Sequence, residues 1–398
     1  MANSLLTPTM VTREALRVLH KKLNFIGSIN RSYDESFAKT GAKIGDSLKI
    51  RLPNQYVVRT GATLSAQDTT ENSVTLQVAT QKGVDLNFTS VDLTLSLDDF
   101  SARIIEPAMA VLASNIEADA FNMYKDVYQQ VGTAGTIPNN LKVLNQARAK
   151  MTDSLTPSGD RSVCLNTDAQ VELVDAVKGL FQDSSAIAQQ YRDGLMGRTA
   201  GFGNIYENTI IPVHTNGTMG GTPLVNGASQ TGATIAIDGL AASGTVTKGT
   251  VFTLAGVFSV HPETKVSTGK LQQFVVTADA TASSGAIAAL AISPSIVTSG
   301  ATQNVTGSAA DNAAVTFVGS ASTGYAQNMA FHKDAFAFVT ADLVKPDGVD
   351  WSARETIDGL SIRMIRQYDI NNDKFPCRLD ILYGYKAVRP QMACRITA

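Results

Sequence analysis

SLDDFSARIIEPAMAVLASNIEADAFNMYKDVYQQVG, residues 96–132, is the stretch that decides the fold. Ile105, Met109, Leu112, Ile116, Ala120, Met123 and Val127 recur at steps of four and three, which holds them on one stripe of a helix. Ser96, Asp98 and Asp99 suit its start, where carboxylates face the positive end of the helix dipole. Gly132 supplies a stop. At about 1.5 Å per residue, a helix over 96–131 is a rod of about 50 Å. Pro107 sits inside the pattern and should start or kink it. A rod of that length outruns any one small core, so it reads as a spine between layers.

Upstream, Val11, Ala15, Val18, Leu19 and Leu23 predict a helix over 11–23, with Thr12 near its start. Residues 24–44 lose periodicity and read as an extended arm. Ser47–Leu52 and Ser73–Val78 alternate polar and apolar residues, as half-buried strands do. Between them lies a polar stretch with Gly61, Ser65, Gln67, Asp68 and Thr69. The prediction is a projecting β-hairpin with Gln67-Asp68-Thr69 at its tip, placed to touch a neighbour.

Downstream, 139–151, 167–179 and 184–193 read as helices around a short strand at Val163-Cys164-Leu165, an α/β pattern. Gly201-Phe202-Gly203-Asn204 marks a turn, and Ile210-Ile211-Pro212-Val213 a short strand. From 215 to 325 only seven of 111 residues are charged and fifteen are glycine. Val251–Leu254, Gln273–Val276 and Ala314–Phe317 are short strand runs between turn residues, with Phe252, Leu254, Phe274, Val276 and Phe317 as core candidates. The α/β pattern resumes with Ala330–Val339 and strand candidates at 359–370 and 376–390. The all-β stretch is therefore an insertion. The expected order is arm (1–44), hairpin and peripheral strands (45–92), spine (93–135), α/β domain (136–221), inserted β domain (222–325) and closing strands (326–398), an α+β chain.

Charged residues make up 17% of the chain and the formal net charge is −2. About a quarter is usual for a soluble protein. So little charge suits a surface covered by copies of itself. Lys and Arg are scattered, so no basic stripe marks a dedicated nucleic-acid binder. Cys164, Cys377 and Cys394 have neither the number nor the spacing of a disulfide framework and read as buried thiols. Met1–Leu6 lacks the basic and apolar regions of a signal peptide, and no apolar run reaches the length of a membrane span.

Catalytic chemistry is equally hard to find. His20, His214, His261 and His332 fall in unrelated segments without metal-ligand spacing. There is no nucleophile elbow and no phosphate-binding glycine loop. Gly201-Phe202-Gly203 starts a dinucleotide motif, but Tyr206 replaces its third glycine. Adjacent Asp98 and Asp99 diverge on a helix and cap it instead of sharing a proton. Asp369, Asn371, Asn372 and Asp373 lack the glycine and glutamate of a calcium loop and read as a hairpin turn. No enzyme, cofactor or metal is expected.

The order of elements is similar to the Hong Kong ninety-seven type capsid fold. Tyr191-Arg192-Asp193-Gly194, Ala200-Gly201-Phe202, Pro212-Val213, Phe252, Ala255-Gly256-Val257, Cys377-Arg378, Tyr383-Gly384 and Arg389-Pro390 stand in the same order as in coat proteins of the P-twenty-two-like family of short-tailed bacteriophages, and Asp98-Asp99 fits the spine start. These blocks run over roughly residues 90–395, and the insert looks shorter than in that family. The resemblance implies a major capsid protein of the virion, building pentamers and hexamers of an icosahedral shell around double-stranded DNA without reading its sequence. It implies a scaffolding protein, expansion on packaging, a portal, a possible decoration protein, and assembly in the bacterial cytoplasm. It also implies that the hairpin lies over a neighbouring subunit and that the insert aids folding. An encapsulin-like compartment shell is the nearest alternative, though such shells usually lack a large β insert. A secreted β-rich hydrolase would need the signal peptide and catalytic constellation missing here.

Overall fold

A computed structural model of the chain describes residues 8–31, 47–64, 66–69, 71–88, 101–177, 198–357, 359–371 and 374–397. The chain divides into two compact units. One comprises Met1–Arg51, Ser73–Phe121 and Phe336–Val388, the other Leu52–Asn72, Asn122–Ala335 and Arg389–Ala398.

In the first unit the spine runs as a π-helical turn, Ser101–Ile105, and then an α-helix, Glu106–Phe121. Pro107 explains the change of pitch. Its ring collides with the carbonyl four residues back, at Arg103, and a wider turn moves that carbonyl aside. Ile105, Met109, Leu112, Ile116 and Ala120 are buried. The Pro8–Lys22 helix packs against this spine and against two strands, Trp351–Ile357 and Leu360–Arg366, through Val11, Ala15, Val18 and Leu19. The expected extended arm is interrupted at once by a helical turn, Phe25–Ser28. Phe25 stacks on Phe121 with centroids 4.3 Å apart, and its N–H donates to the buried Glu117 carboxylate at 2.7 Å. These two contacts fix the turn where sequence periodicity offers nothing. Residues 32–44 of the arm lie outside the described residues.

The sheet of this unit is built around Phe375–Ala387. It pairs antiparallel with Phe336–Ala341, with Leu360–Arg366 and, over Phe375–Tyr383, with Thr80–Phe88. Trp351–Ile357 extends it from Leu360–Arg366. The long strand candidates at 359–370 and 376–390 are thus present but shorter. The predicted 330–339 run is split by a 3₁₀ turn, Lys333–Ala335. Ser47–Arg51 and Ser73–Gln77 pair antiparallel, Ser47 opposite Gln77, as the hairpin strands. Gly384 is a forced choice, since a Cβ there would lie 2.2 Å from the Gln77 carbonyl oxygen.

In the second unit the helical path continues only as a 3₁₀ turn, Asn122–Asp126. The helix predicted to residue 131 is α-helical only to Phe121, and Gln130–Val131 is a strand lying parallel to Arg395–Ile396. Pairing explains this. Arg395 N–H donates to the Gln129 carbonyl at 2.8 Å and Thr397 N–H to that of Val131 at 3.1 Å, so the C-terminal strand takes acceptors a longer helix would use. That strand is the second of five, in the order Gln130–Val131, Ala393–Ile396, Asn328–His332, Arg161–Leu165, Asn204–Glu207. Leu141–Asp153, capped by Asn140 accepting from Lys142 N–H at 2.6 Å, and Thr167–Val177 pack Leu144, Met151 and Leu173 against it. The predicted helix at 184–193 lies outside the described residues. Residues 208–212 turn, and the strand expected at 210–213 is Val213–Thr215.

Val213–Thr215 pairs with Gly324–Ala326, so the path into the insert and the path out of it run side by side. Between them a six-stranded sheet runs Val315–Phe317, Val251–Val260, Ser267–Val276, Ile287–Ile296, Gly232–Leu240, Gly221–Val225. Its two edge strands meet. Leu224 bridges Ala314, and Val225 N–H donates to Ala313 O at 2.9 Å, closing the sheet into a barrel. Closure leaves no free edge to template association. Phe252, Leu254, Phe274 and Val276 are buried in its core and Phe317 packs against it, with Phe252 5.7 Å from both Phe274 and Phe317.

Candidate functional site

Among the described residues no acid–base or nucleophile constellation assembles. His261 Nδ1 accepts from Glu263 and Thr264 N–H groups at 3.3 and 3.2 Å, and His332 Nδ1 from Asp334 N–H at 3.2 Å, so both serve turns. Asn371 N–H donates to the Asp369 carboxylate at 3.0 Å in a hairpin turn, while Asn372 and Asp373 lie outside the described residues. Among the described residues no three His, Cys, Asp or Glu side chains could hold a metal, and no helix is long and apolar enough to cross a membrane. Cys164, Cys377 and Cys394 are buried and in no disulfide, and burial pushes the thiols of Cys377 and Cys394 up to about 12.

What the chain does present is a surface without a core. The 52–72 loop exposes Tyr56, Val57, Val58 and Leu64, and Val58 and Leu64 are each more than four-fifths exposed. Gln67 holds it together. Its amide accepts from Val57 N–H at 2.8 Å and donates to Val57 O at 2.5 Å, while Tyr56 Oη is 3.5 Å from Thr69 Oγ1. Gln67, Asp68 and Thr69 therefore stand on the returning limb, opposite Tyr56 and Val57. The turn itself falls near Gly61, whose φ is 100°. Nothing in the alternation of the flanking strands fixes where such a loop reverses.

Sequence reading also missed a buried polar junction where the spine ends. The Arg395 guanidinium is buried. It donates from Nε and Nη2 to Val127 O at 2.8 and 2.5 Å and from Nη1 to Gly249 O at 2.7 Å, and it lies over the Tyr124 ring at 5.4 Å. Burial pulls it down to about 10. Beside it, His214 bridges Tyr124 Oη at 3.2 Å and Thr250 Oγ1 at 3.3 Å. Burial first, and then the Arg395 charge, pushes this imidazole down to about 4, so it is neutral. Met123 and Val127, the last two residues of the predicted stripe, are buried beside this junction in sequence, Val127 already beyond the helix. The junction ties the spine's end, the barrel's root and the last strand together. A lone arginine between cysteine and isoleucine gives no sequence signal for it.

Several positions that resemble the capsid family hold the fold together. Tyr383 Oη donates to Asp119 at 2.5 Å, and Lys82 reaches the same carboxylate at 2.7 Å. Arg378 and Arg363 flank the fully buried Asp380 at 2.8 and 2.6 Å. Arg389 N–H donates to Ala335 O at 3.0 Å, and Pro390 opens the 3₁₀ turn Pro390–Met392. Tyr191, Arg192, Asp193 and Gly194 lie outside the described residues.

The family model described as "P22 coat protein - gene protein 5" matches residues 9–396. The chain belongs to the P22 coat protein family. It is a phage capsid protein with the Hong Kong ninety-seven type fold, a structural protein of the virion. No curated protein matches it. Solved structures similar to this coat protein include a chain of Mycobacterium phage Che8, with 14% identity over 94% of this chain and 90% of that one and a TM-score of 0.48. Another, titled "Capsid structure of the Cyanophage P-SCSP1u", has 11% identity over 90% and 84% and a TM-score of 0.42. A virus-like particle from Pyrococcus furiosus has 7% identity over 97% of each chain and a TM-score of 0.38.

Proposed function

We propose that this coat protein assembles with a scaffolding protein into a closed procapsid of pentamers and hexamers, which expands as double-stranded DNA is packaged. Assembly takes place in the bacterial cytoplasm around a portal, and a decoration protein can bind the finished shell. The DNA is enclosed without being read, consistent with the absence of any long basic run. The observation that carries this reading is the family match over residues 9–396, joined to a 52–72 loop whose apolar residues find no cover within their own unit. Val58 and Leu64 become buried when the loop lies over a neighbouring subunit.

Co-expression with the scaffold tests the proposal. Closed shells by negative-stain microscopy are expected, with monomers, spirals or aberrant shells when the coat protein is made alone. A chain that stays monomeric under both conditions overturns it.

A further inference from the structure

The second unit contains a cavity of about 490 Å³, walled by the end of the Leu141–Asp153 helix, the foot of the 52–72 loop, the barrel and the turn at Pro390. Its ionisable lining is Lys150, Lys265, Lys270 and Arg389 against a single carboxylate, Asp153. Lys270 and Asp153 cancel each other at 2.5 Å. The other three cations have no ion-pair partner among the described residues. Lys150 Nζ donates only to the Gln273 side-chain oxygen, and Lys265 Nζ to Gln303 O at 3.2 Å. Arg389 Nε donates to nothing. Burial leads the effects that lower both lysine ammoniums. Three half-buried cations with no ion-pair partner among the described residues are a costly arrangement, and an incoming anion relieves it.

The walls choose the kind of anion. Pro53, Val260, Pro262, Leu271 and Met392 line the cavity as well as the cations, and Tyr128 is the only aromatic ring among its lining residues. Nucleic-acid grooves set their cations in an open stripe and offer exposed rings for bases to stack on. A cavity lined by both cations and aliphatic side chains fits a peptide surface that carries carboxylates beside an apolar side chain.

This chain bears such a surface elsewhere in the same unit. On the Thr167–Val177 helix, Asp168 and Glu172 are exposed at a spacing of four, which places them on one face. Val171, 66% exposed, stands next to them. Neither carboxylate forms an ion pair among the described residues, and none of this helix lines the cavity. We propose that the cavity receives the Asp168–Val171–Glu172 face of a neighbouring copy of the chain. The contact joins two different patches of one surface, and repetition of such a contact closes a ring where the rotation between copies closes. The inference rests on the shell-building reading above.

Three variants test it, each co-expressed with the scaffold. Asp168→Lys with Glu172→Lys is expected to cut the yield of closed shells by at least about tenfold, because like charges then meet across the contact. Its monomer should melt like the parent, since both sites are exposed. Lys150→Glu with Lys265→Glu is expected to fail in the same way. All four substitutions in one chain restore opposite charges and should recover shells to within about threefold of the parent. If the glutamates at 150 and 265 impair folding, Lys150→Met with Lys265→Met removes the charge alone. A peptide of residues 166–178 should then bind the parent monomer and not this variant. The proposal is overturned if the helix variant assembles like the parent, or if the four-fold variant does no better than either pair. It is also overturned if the cavity lysines prove to be needed for retaining duplex DNA while the helix variant assembles normally. Failure of the parent itself to form shells would instead strike the shell-building reading.

Discussion

The barrel and the 52–72 loop are both long excursions from the strands that bear them, and they are stabilised in opposite ways. The barrel closes on itself through the Leu224–Ala314 bridge and fills its interior with Phe252, Phe274 and their neighbours. The loop has no interior, and its apolar side chains stand in solvent with one glutamine clamp across it. Stability within the subunit is thus concentrated in one excursion, while the other leaves its apolar surface in solvent. The barrel reaches this state with few charges, so packing and ladder hydrogen bonds hold it, not ion pairs.

The sharpest way to break the comparison is to hollow the barrel. Phe274→Ala removes a fully buried ring stacked on Phe252 and should cost about 3–5 kcal/mol in urea unfolding. A loss under about 1 kcal/mol would mean that the ring stack does not organise the barrel. The converse holds for residues 222–325 expressed alone. They are expected to give a β-type circular dichroism spectrum and a cooperative melt, where the isolated loop would give neither.

Acid should loosen the barrel's root while leaving the loop untouched. His214 faces Arg395 and Lys125, which disfavour its protonation, Asp279, which favours it, and the hydroxyls of Tyr124 and Thr250. Its folded value of about 4 lies below the ordinary 6.5, so its contribution is complete above pH 6.5. That contribution falls away as pH drops from 6.5 towards 4, by an amount on the order of 3 kcal/mol at the limit. In melts across that window His214→Gln should flatten most of the slope. The burial-lowered His332 accounts for a remainder of the same sign. An unchanged slope in His214→Gln would remove the junction from this account.

In the loop the expected effects are smaller and differently placed. Gln67→Ala deletes both bonds to Val57 and should cost about 1 kcal/mol of local order, read as faster amide exchange at 52–72 with global melting unchanged. Asp68→Lys should leave the monomer's stability within about 0.5 kcal/mol and still alter shell yield. Equal losses in monomer and shell would mean that the loop packs on its own subunit.

The two regions also differ in how legible they were. The buried stripe from Ile105 to Met123 follows from a period that only a helix satisfies. In the barrel, Val251–Leu254 and Gln273–Val276 stand out because large and polar side chains alternate. Gly232–Leu240 and Ile287–Ile296 do not, because their many alanines and glycines blur the period. Trp351–Ile357 reads as polar because Ala353 alone of its side chains is buried. The Arg395–His214 junction is assembled from positions up to 271 residues apart, beyond the reach of local pattern. The helix end was misread for the same reason, since its competitor was a strand from the far end of the sequence.

That strand has a consequence for how the protein is made. Ala393–Ile396 lies inside its sheet, between Gln130–Val131 and Asn328–His332, yet it leaves the ribosome after every strand it joins. Until then those two strands face each other across a gap, with unpaired backbone groups on both sides. The Arg395 guanidinium that satisfies Val127 O and Gly249 O is missing as well. A nascent coat chain is therefore barred from its native form until synthesis has passed residue 396.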